Sequence, residues 1–327
     1  MVSKTCRSLI EQGLVYHPVY GSGFSTHVPM SLVALDDMGA TERQLNLYYS
    51  IATSRLNLRK TQPKDTTFNF TTNVLGRSDL FEDFFHHFTD KLNEVSIEQL
   101  LKDVIPVLME GVGGAAFHPL IRLSYALKSD CRAEIAVSLA YWASEYLKLG
   151  NGHQKNNEDL KNIRSRLDAF ASDNASLSTI TDRIKAVNNT IQKAGTVIQP
   201  KELTLENIKT FSLTEFAKND NFTLLHTVTA CHAYTSIAHY CENSERSLRY
   251  LWEAILISQL STGIKYNSTP PKTAVAKMEW PHIIKQAVNS TDDHVIKLVY
   301  TCRDENNNTP TNTLYRFVAQ RAVNKSS

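Results

Sequence analysis

The chain has 327 residues, 42 % hydrophobic and 21 % charged, with a formal net charge of +2. This composition fits an ordinary globular core and excludes an intrinsically disordered chain, while the near-neutral balance, without a basic run interleaved with aromatics, argues against a nucleic-acid binder that works by counterion release. No stretch approaches the roughly 20 apolar residues that span a bilayer, and MVSKTCRSLIEQGLVYHP at the N-terminus has no apolar signal-peptide core or small-residue cleavage site, so no membrane partner and a cytoplasmic location are expected.

Taken in chain order, Tyr16-His17-Pro18 reads as a turn. The glycine-containing Gly21 to Pro29 follows, and then a short apolar helix carries Met30, Leu32, Val33 and Leu35 to about Gly39. Thr41-x-x-Gln44 is a capping box that opens a helix with Leu45, Tyr48, Tyr49 and Ala52 on one face. Leu80, Phe81, Phe84, Phe85, Phe88 and Leu92 repeat the pattern. A second box, Ser96-x-x-Gln99, opens Leu100 to Leu108. The spacing predicts a helix from His118 through Tyr125, and another from Ile135 to Leu149 that stops at Gly150, a C-cap glycine. Residues of about 151–200 are rich in Asn, Lys, Asp and Ser and read as exposed helices, a lid or a linker, with a loop over 151–157. Core patterning returns at Leu213 and Phe216, a long helix runs to about Tyr240, and another covers Ser244 to Leu260. After a loop from Thr262 to Pro271, Thr291 is the expected N-cap of a helix through Tyr300. Strand alternation is scarce. The expected fold class is therefore all-α: one multi-helix domain over 1–327 with a polar helical or lid stretch at about 151–200. The five cysteines are scattered without a Cys-x-x-Cys pair, so they suggest neither a disulfide framework nor a zinc site, and Cys231 and Cys241 read as small apolar residues in or near one helix.

Chemistry concentrates in the eleven histidines. His86, His87 and His153 read as structural or solvent-facing, and His17 as a packing residue. His27 and His118 each follow glycine-containing segments and precede apolar helices, and His226 sits among Leu224, Leu225 and Val228. Thr229 lies one turn further on; His232 is six residues away, about 120° around the helix. His294 and Lys297 share a face at i, i+3. Several imidazoles in apolar helices read either as core hydrogen-bonders or as a metal site, since helix bundles build such sites from inward side chains. His294 also occupies a first helical turn, where the positive helix end favours the neutral ring that ligates. Glu279-x-x-His282 occurs once, is interrupted by Pro281 and has no second copy, so a di-iron pair is set aside. Gly111-x-Gly113-x-x-Ala116 matches a dinucleotide fingerprint formally, yet a helical pattern rather than a strand precedes it.

In order and spacing, four segments resemble the motifs of questin oxidase-like proteins. They are Gly23-Phe24-Ser25-Thr26-His27-Val28-Pro29-Met30, Gly113 to Leu123, Leu225-His226-Thr227-Val228-Thr229 and Asp293-His294-Val295-Ile296-Lys297, and Ser138 to Ala143 is similar to the family's segment after the second histidine. The resemblance runs from about Tyr16 to about Cys302 and implies an all-helical protein. It also implies an oxidoreductase that opens a ring of an anthraquinone-type aromatic polyketide with O₂, and with NADPH in fungal members. The implied cofactor is a mononuclear non-haem iron, Fe(II). Carried onto this chain, its ligands are His27, His118, His226 and His294, with Lys297 as a carboxylated lysine and His232 in reserve. The alternative for Lys297 is an i, i+4 ion pair with Asp293. Thr229 and His232 are the catalytic candidates, and Phe24, Phe117, Tyr125 and Tyr234 the candidate lining of the pocket for the small aromatic substrate. Two other readings compete: a non-catalytic helical protein that binds a small apolar ligand, and a flavin- or NADPH-type Baeyer–Villiger monooxygenase built on Gly111 to Gly114.

Overall fold

Fifteen α-helices are found among the described residues of the computed structural model, which are 1–60, 68–150, 152, 154–174, 176–177, 179–271 and 276–326. In chain order they are α1 (Lys4–Gly13), α2 (Val28–Asp37), α3 (Glu42–Thr53), α4 (Phe81–Glu94), α5 (Ile97–Leu108), α6 (His118–Ser129), α7 (Arg132–Ser144), α8 (Leu160–Arg166), α9 (Ile180–Ala194), α10 (Leu205–Asn219), α11 (Phe222–Thr235), α12 (Ser244–Leu260), α13 (Trp280–Val288), α14 (Asp293–Asn308) and α15 (Leu314–Ser326). The fold is all-α. Among the described residues the strands are two short pairs: β1 (Val19–Tyr20) with β2 (Phe24–Ser25), antiparallel, and β3 (Lys155–Asn156) with β4 (Gln199–Pro200), parallel.

Local chemistry sets many of the boundaries. Thr41 and Gln44 form both halves of the capping box at α3. Ser96 caps α5 through the Gln99 amide, but the Gln99 side chain turns to Asp103 at 2.8 Å, so the expected second box is a single cap. Pro29, Pro119 and Pro281 lie in first turns, where a missing N–H does no harm. The N-cap of α14 is Asp292, one residue beyond the expected Thr291, because its carboxylate accepts the amides of His294 and Val295. The helix ending near Tyr240 stops earlier, at Thr235, and a separate 3₁₀ turn covers Ala238–Tyr240. Cys231 is buried in α11, whereas half-buried Cys241 follows that turn; no cysteine is paired.

One apolar core runs from Cys6 to Val323, and α12 lies almost wholly inside it. Burying side chains such as Phe84 and Phe88 contributes about 1.5–3 kcal/mol each. The buried pair Arg122–Glu134, at 2.6 Å and 3.0 Å, ties α6 to α7 and fixes the helix that His118 opens. In the polar stretch, α8, α9 and β3 form, and the first turn of α9 borders the principal cavity. Asn151 and His153 lie outside the described residues. No helix among the described residues is long and apolar enough to cross a membrane.

Candidate metal centre

Four helices begin at one place. His27 is the N-cap of α2, His118 is the first residue of α6, His226 the fifth of α11 and His294 the second of α14. Helix α6 packs on α2 and α11, and so does α14, which brings the four helix starts together. One ring nitrogen of each histidine lies within 4.8 Å of the others. His27, His118 and His226 are buried and His294 is half-buried.

His118 is held by an unusual turn. Ala115, Ala116 and Phe117 have φ of 43°, 51° and 69°, three successive left-handed residues with side chains. Each such residue costs about 1–2 kcal/mol, and strain of this kind persists where the surroundings over-determine it. Here they do. A Cβ on Gly114 would lie 2.0 Å from the Glu145 carbonyl oxygen, one on Gly111 would meet the Tyr146 ring at 2.1 Å, and one on Gly113 would meet Leu149 at 2.2 Å. The glycine run therefore seats residues 145–149 against this turn. That packing also ends α7 at Ser144, five residues before the expected Leu149, with the Leu147 amide bonded to the Gly111 carbonyl at 3.3 Å. Helix α5 and a 3₁₀ turn precede the glycines, so they do not stand in the strand–turn–helix of a dinucleotide fold.

Hydrogen bonds orient the rings. The His118 Nδ1–H donates to the Ala115 carbonyl at 2.5 Å, and the His226 Nδ1–H to the Phe222 carbonyl at 2.8 Å. His27 Nδ1 lies 3.6 Å from the Asp293 carboxylate and His294 Nδ1 lies 3.6 Å from that of Asp292. Asp293 is itself fixed by the Tyr48 hydroxyl and by Ser31 Oγ at 3.3 Å. Every Nδ1 thus faces an acceptor, the outer-sphere arrangement that presents Nε2 to a metal. Two Nε2 atoms, of His226 and His294, are buried without a hydrogen-bond partner. The other two, of His27 and His118, face each other at 2.8 Å. With both Nδ1 atoms protonated, two lone pairs meet there; a proton between them would have to come from the nitrogen of His27 that faces Asp293. In the tautomer with both Nδ1 atoms protonated, a shared cation would bridge the two lone pairs. The four rings together could hold one metal ion.

Burial holds all four imidazoles below the usual histidine range, most strongly His27, His118 and His226. The Lys297 charge and the neighbouring rings add to this. Neutral rings are the ligating form. Lys297, one turn beyond His294, is 1 % exposed, and burial pushes its ammonium down to about 8 while Asp293 and Asp292 oppose the shift. It makes no ion pair among the described residues; Asp293, its partner in the alternative reading, is engaged by Tyr48 and Ser31 instead.

A cavity of about 560 Å³ opens onto His27, His118 and His294. Of the expected lining residues Phe24 is in it. Phe117 is fully buried beside His118 and away from the lining, Tyr234 bonds Ser247 at 2.5 Å, and Tyr125 borders a separate cleft. That cleft also holds His232, whose Nδ1 lies 3.0 Å from Glu305, so His232 does not join the other four. Thr229 is buried one turn past His226 and donates to the His226 carbonyl at 3.2 Å. His17 bonds Val19 and His87 stacks on Phe70, both in packing roles, while Glu279 forms an exposed ion pair with Arg316. The sequence reading missed Tyr48, Ser31, Arg55, Arg183 and Phe222. Only Asp293, adjoining His294, carried a visible signal.

No curated protein matches the chain. The family model for questin oxidase-like proteins matches residues 24–215 and 208–302, a span that holds all four clustered histidines and Lys297. With that match over most of its length, the chain belongs to the questin oxidase-like family.

Proposed function

We propose that the chain is a mononuclear non-haem iron oxygenase that uses O₂ to oxidise, and open, a ring of an aromatic polyketide-type small molecule. The observation that carries this reading is the set of four imidazoles with one ring nitrogen of each within 4.8 Å of the others, the Nε2 atoms of His226 and His294 being buried without a hydrogen-bond partner. His27, His118, His226 and His294 would hold the iron, which when bound supplies the site for O₂ activation. Lys297 is the candidate fifth ligand. Its buried amine, pushed down to about 8, has an appreciable neutral fraction near neutral pH. Addition of CO₂ to that amine releases one proton and leaves an anionic oxygen donor, which balances a dication better than imidazoles alone. Asp293 keeps His27 oriented, and Phe222, packed on His226 and His294 at 4.9 Å and 4.4 Å, screens the centre from water. If one oxygen atom enters the product, a two-electron reductant of the NADPH class must carry the other to water; if both enter, none is needed.

The test is metal content, on protein without a histidine tag and after anaerobic Fe(II) reconstitution, for the wild type beside His118→Ala and His226→Ala. Near-stoichiometric iron in the wild type, lost in both variants, is the expected result. No iron in the wild type would sink the proposal in favour of a non-catalytic ligand-binding protein.

A further inference from the structure

Two arginines that make no ion pair among the described residues line the cavity in front of the histidines. Arg55, just past α3, and Arg183, in the first turn of α9, both line it. Among the described residues neither side chain makes a hydrogen bond or an ion pair. Arg55 does rest over the Tyr20 ring at 5.6 Å, and its charge reaches His27. The carboxylates bordering the same cavity are already committed. Asp293 is bound by Tyr48 and Ser31 and faces His27, and Asp292 caps α14. Two guanidinium groups from separate elements therefore face an open volume with unspent charge. Phe24 and Phe222, which also line it, are 61 % and 51 % exposed, unusual for aromatics of this size and available to stack on a planar ring.

We propose that the organic ligand of this cavity is an aromatic anion, with its ring against Phe24 and Phe222 and its ionised acidic group, a carboxylate or an acidic phenolate, held by Arg55 and Arg183. The proposal rests on the reading of this cavity as the substrate site of the histidine centre. Guanidinium forks match planar oxyanions and form charge-assisted hydrogen bonds about twice as strong as neutral ones.

The experiment measures dissociation constants of four probes by fluorescence quenching at low salt near neutral pH. The probes are naphthoate and its neutral isostere naphthamide, and dinitronaphtholate and its neutral methyl ether. Protein as purified and protein dialysed against a chelator are compared, so that direct metal ligation of the anion is separated from recognition by arginine. We expect at least one ion to bind about tenfold or more tighter than its neutral partner in both preparations, equivalent to about 1.4 kcal/mol. Which pair shows the preference identifies carboxylate or phenolate. The preference should weaken in Arg55→Gln and in Arg183→Gln, vanish in the double variant, survive in part in the double Arg→Lys variant, and fall with added salt in the wild type. Equal binding of ions and neutrals, a preference confined to metal-loaded protein, one unaltered in the double Gln variant, or no binding of any probe would overturn it. Should the Gln variants fail to fold, the salt dependence and the Lys variants decide. Iron content is measured separately, so an iron-free protein that keeps the anion preference rejects the oxygenase reading alone.

Discussion

At the scale of single residues, His27 and His118 could be picked out because each stands where a glycine- and proline-marked segment turns into an apolar helix, His226 because it sits among Leu224, Leu225 and Val228, and His294 because it opens a helix one turn before Lys297. Their partners, apart from Asp293 beside His294, could not. Asp293, Tyr48 and Ser31 come from α14, α3 and α2, and only the packing of those helices makes them neighbours. The same is true of Arg55 and Arg183. His232, about 120° around α11 from His226 and held only in reserve as a ligand, turns to Glu305. The outer carboxylate carries a testable role. Replacing Asp293 by Asn keeps the shape but removes the charge facing His27, and loss of such a partner typically weakens metal binding by roughly 10–100-fold. We expect a competitive metal titration of Asp293→Asn to show that loss with little change in melting temperature. Unchanged metal affinity would mean that Asp293 serves only the Tyr48 and Ser31 contacts.

At the scale of elements, periodicity located the helices well where a cap or proline marks the start, as at α3, α6 and α12. It failed at the end of α7, since Tyr146 and Leu147 continue the apolar rhythm although they pack on the glycine turn instead of on the helix's own face. Only a long-range contact separates the two cases. That turn also explains why three non-glycine residues tolerate left-handed backbone directly before His118. Gly114→Ala should be severe, because the added Cβ would lie 2.0 Å from a backbone oxygen that cannot swing aside. We expect a loss of about 3 kcal/mol or more in denaturant unfolding, comparable with overpacking a rigid core. A soluble variant should also lose metal, since His118 would no longer be set by the turn. Wild-type stability in Gly114→Ala would show that the turn can open at little expense.

For the whole molecule, all-α architecture was readable from composition and periodicity, whereas α1 and α15, which close the two ends of the core, carry no motif that announces them. The molecule's pH response follows from its buried rings. Burial lowers the four clustered histidines from the ordinary value of 6.5, so below that pH the unfolded chain binds protons that the folded chain refuses. Stability of the metal-free protein must then fall as pH drops below 6.5, with each such histidine adding up to about 1.4 kcal/mol per pH unit. Lys297 acts in the same sense at alkaline pH: between about 8 and 10.5 the unfolded chain again holds the extra proton, and stability rises across that window. Urea midpoints measured against pH check both slopes; a flat profile between pH 6.5 and the onset of acid unfolding would show that the rings are not buried neutral.

The convergence of four helix starts has a mechanical consequence. The rings come from α2, α6, α11 and α14, segments far apart along the chain, with His27 and His118 alone separated by 91 residues. A cation gripped by all of them ties the chain into several large closed loops, as a set of cross-links would, and such ties restrict the unfolded chain more than the folded one. Fraying of any one of these helices from its N-terminal end would then require a bond to the ion to break first. The same ion that serves chemistry would thereby act as a rivet, and the chain segments least able to open ahead of a protease would be those that begin at a histidine.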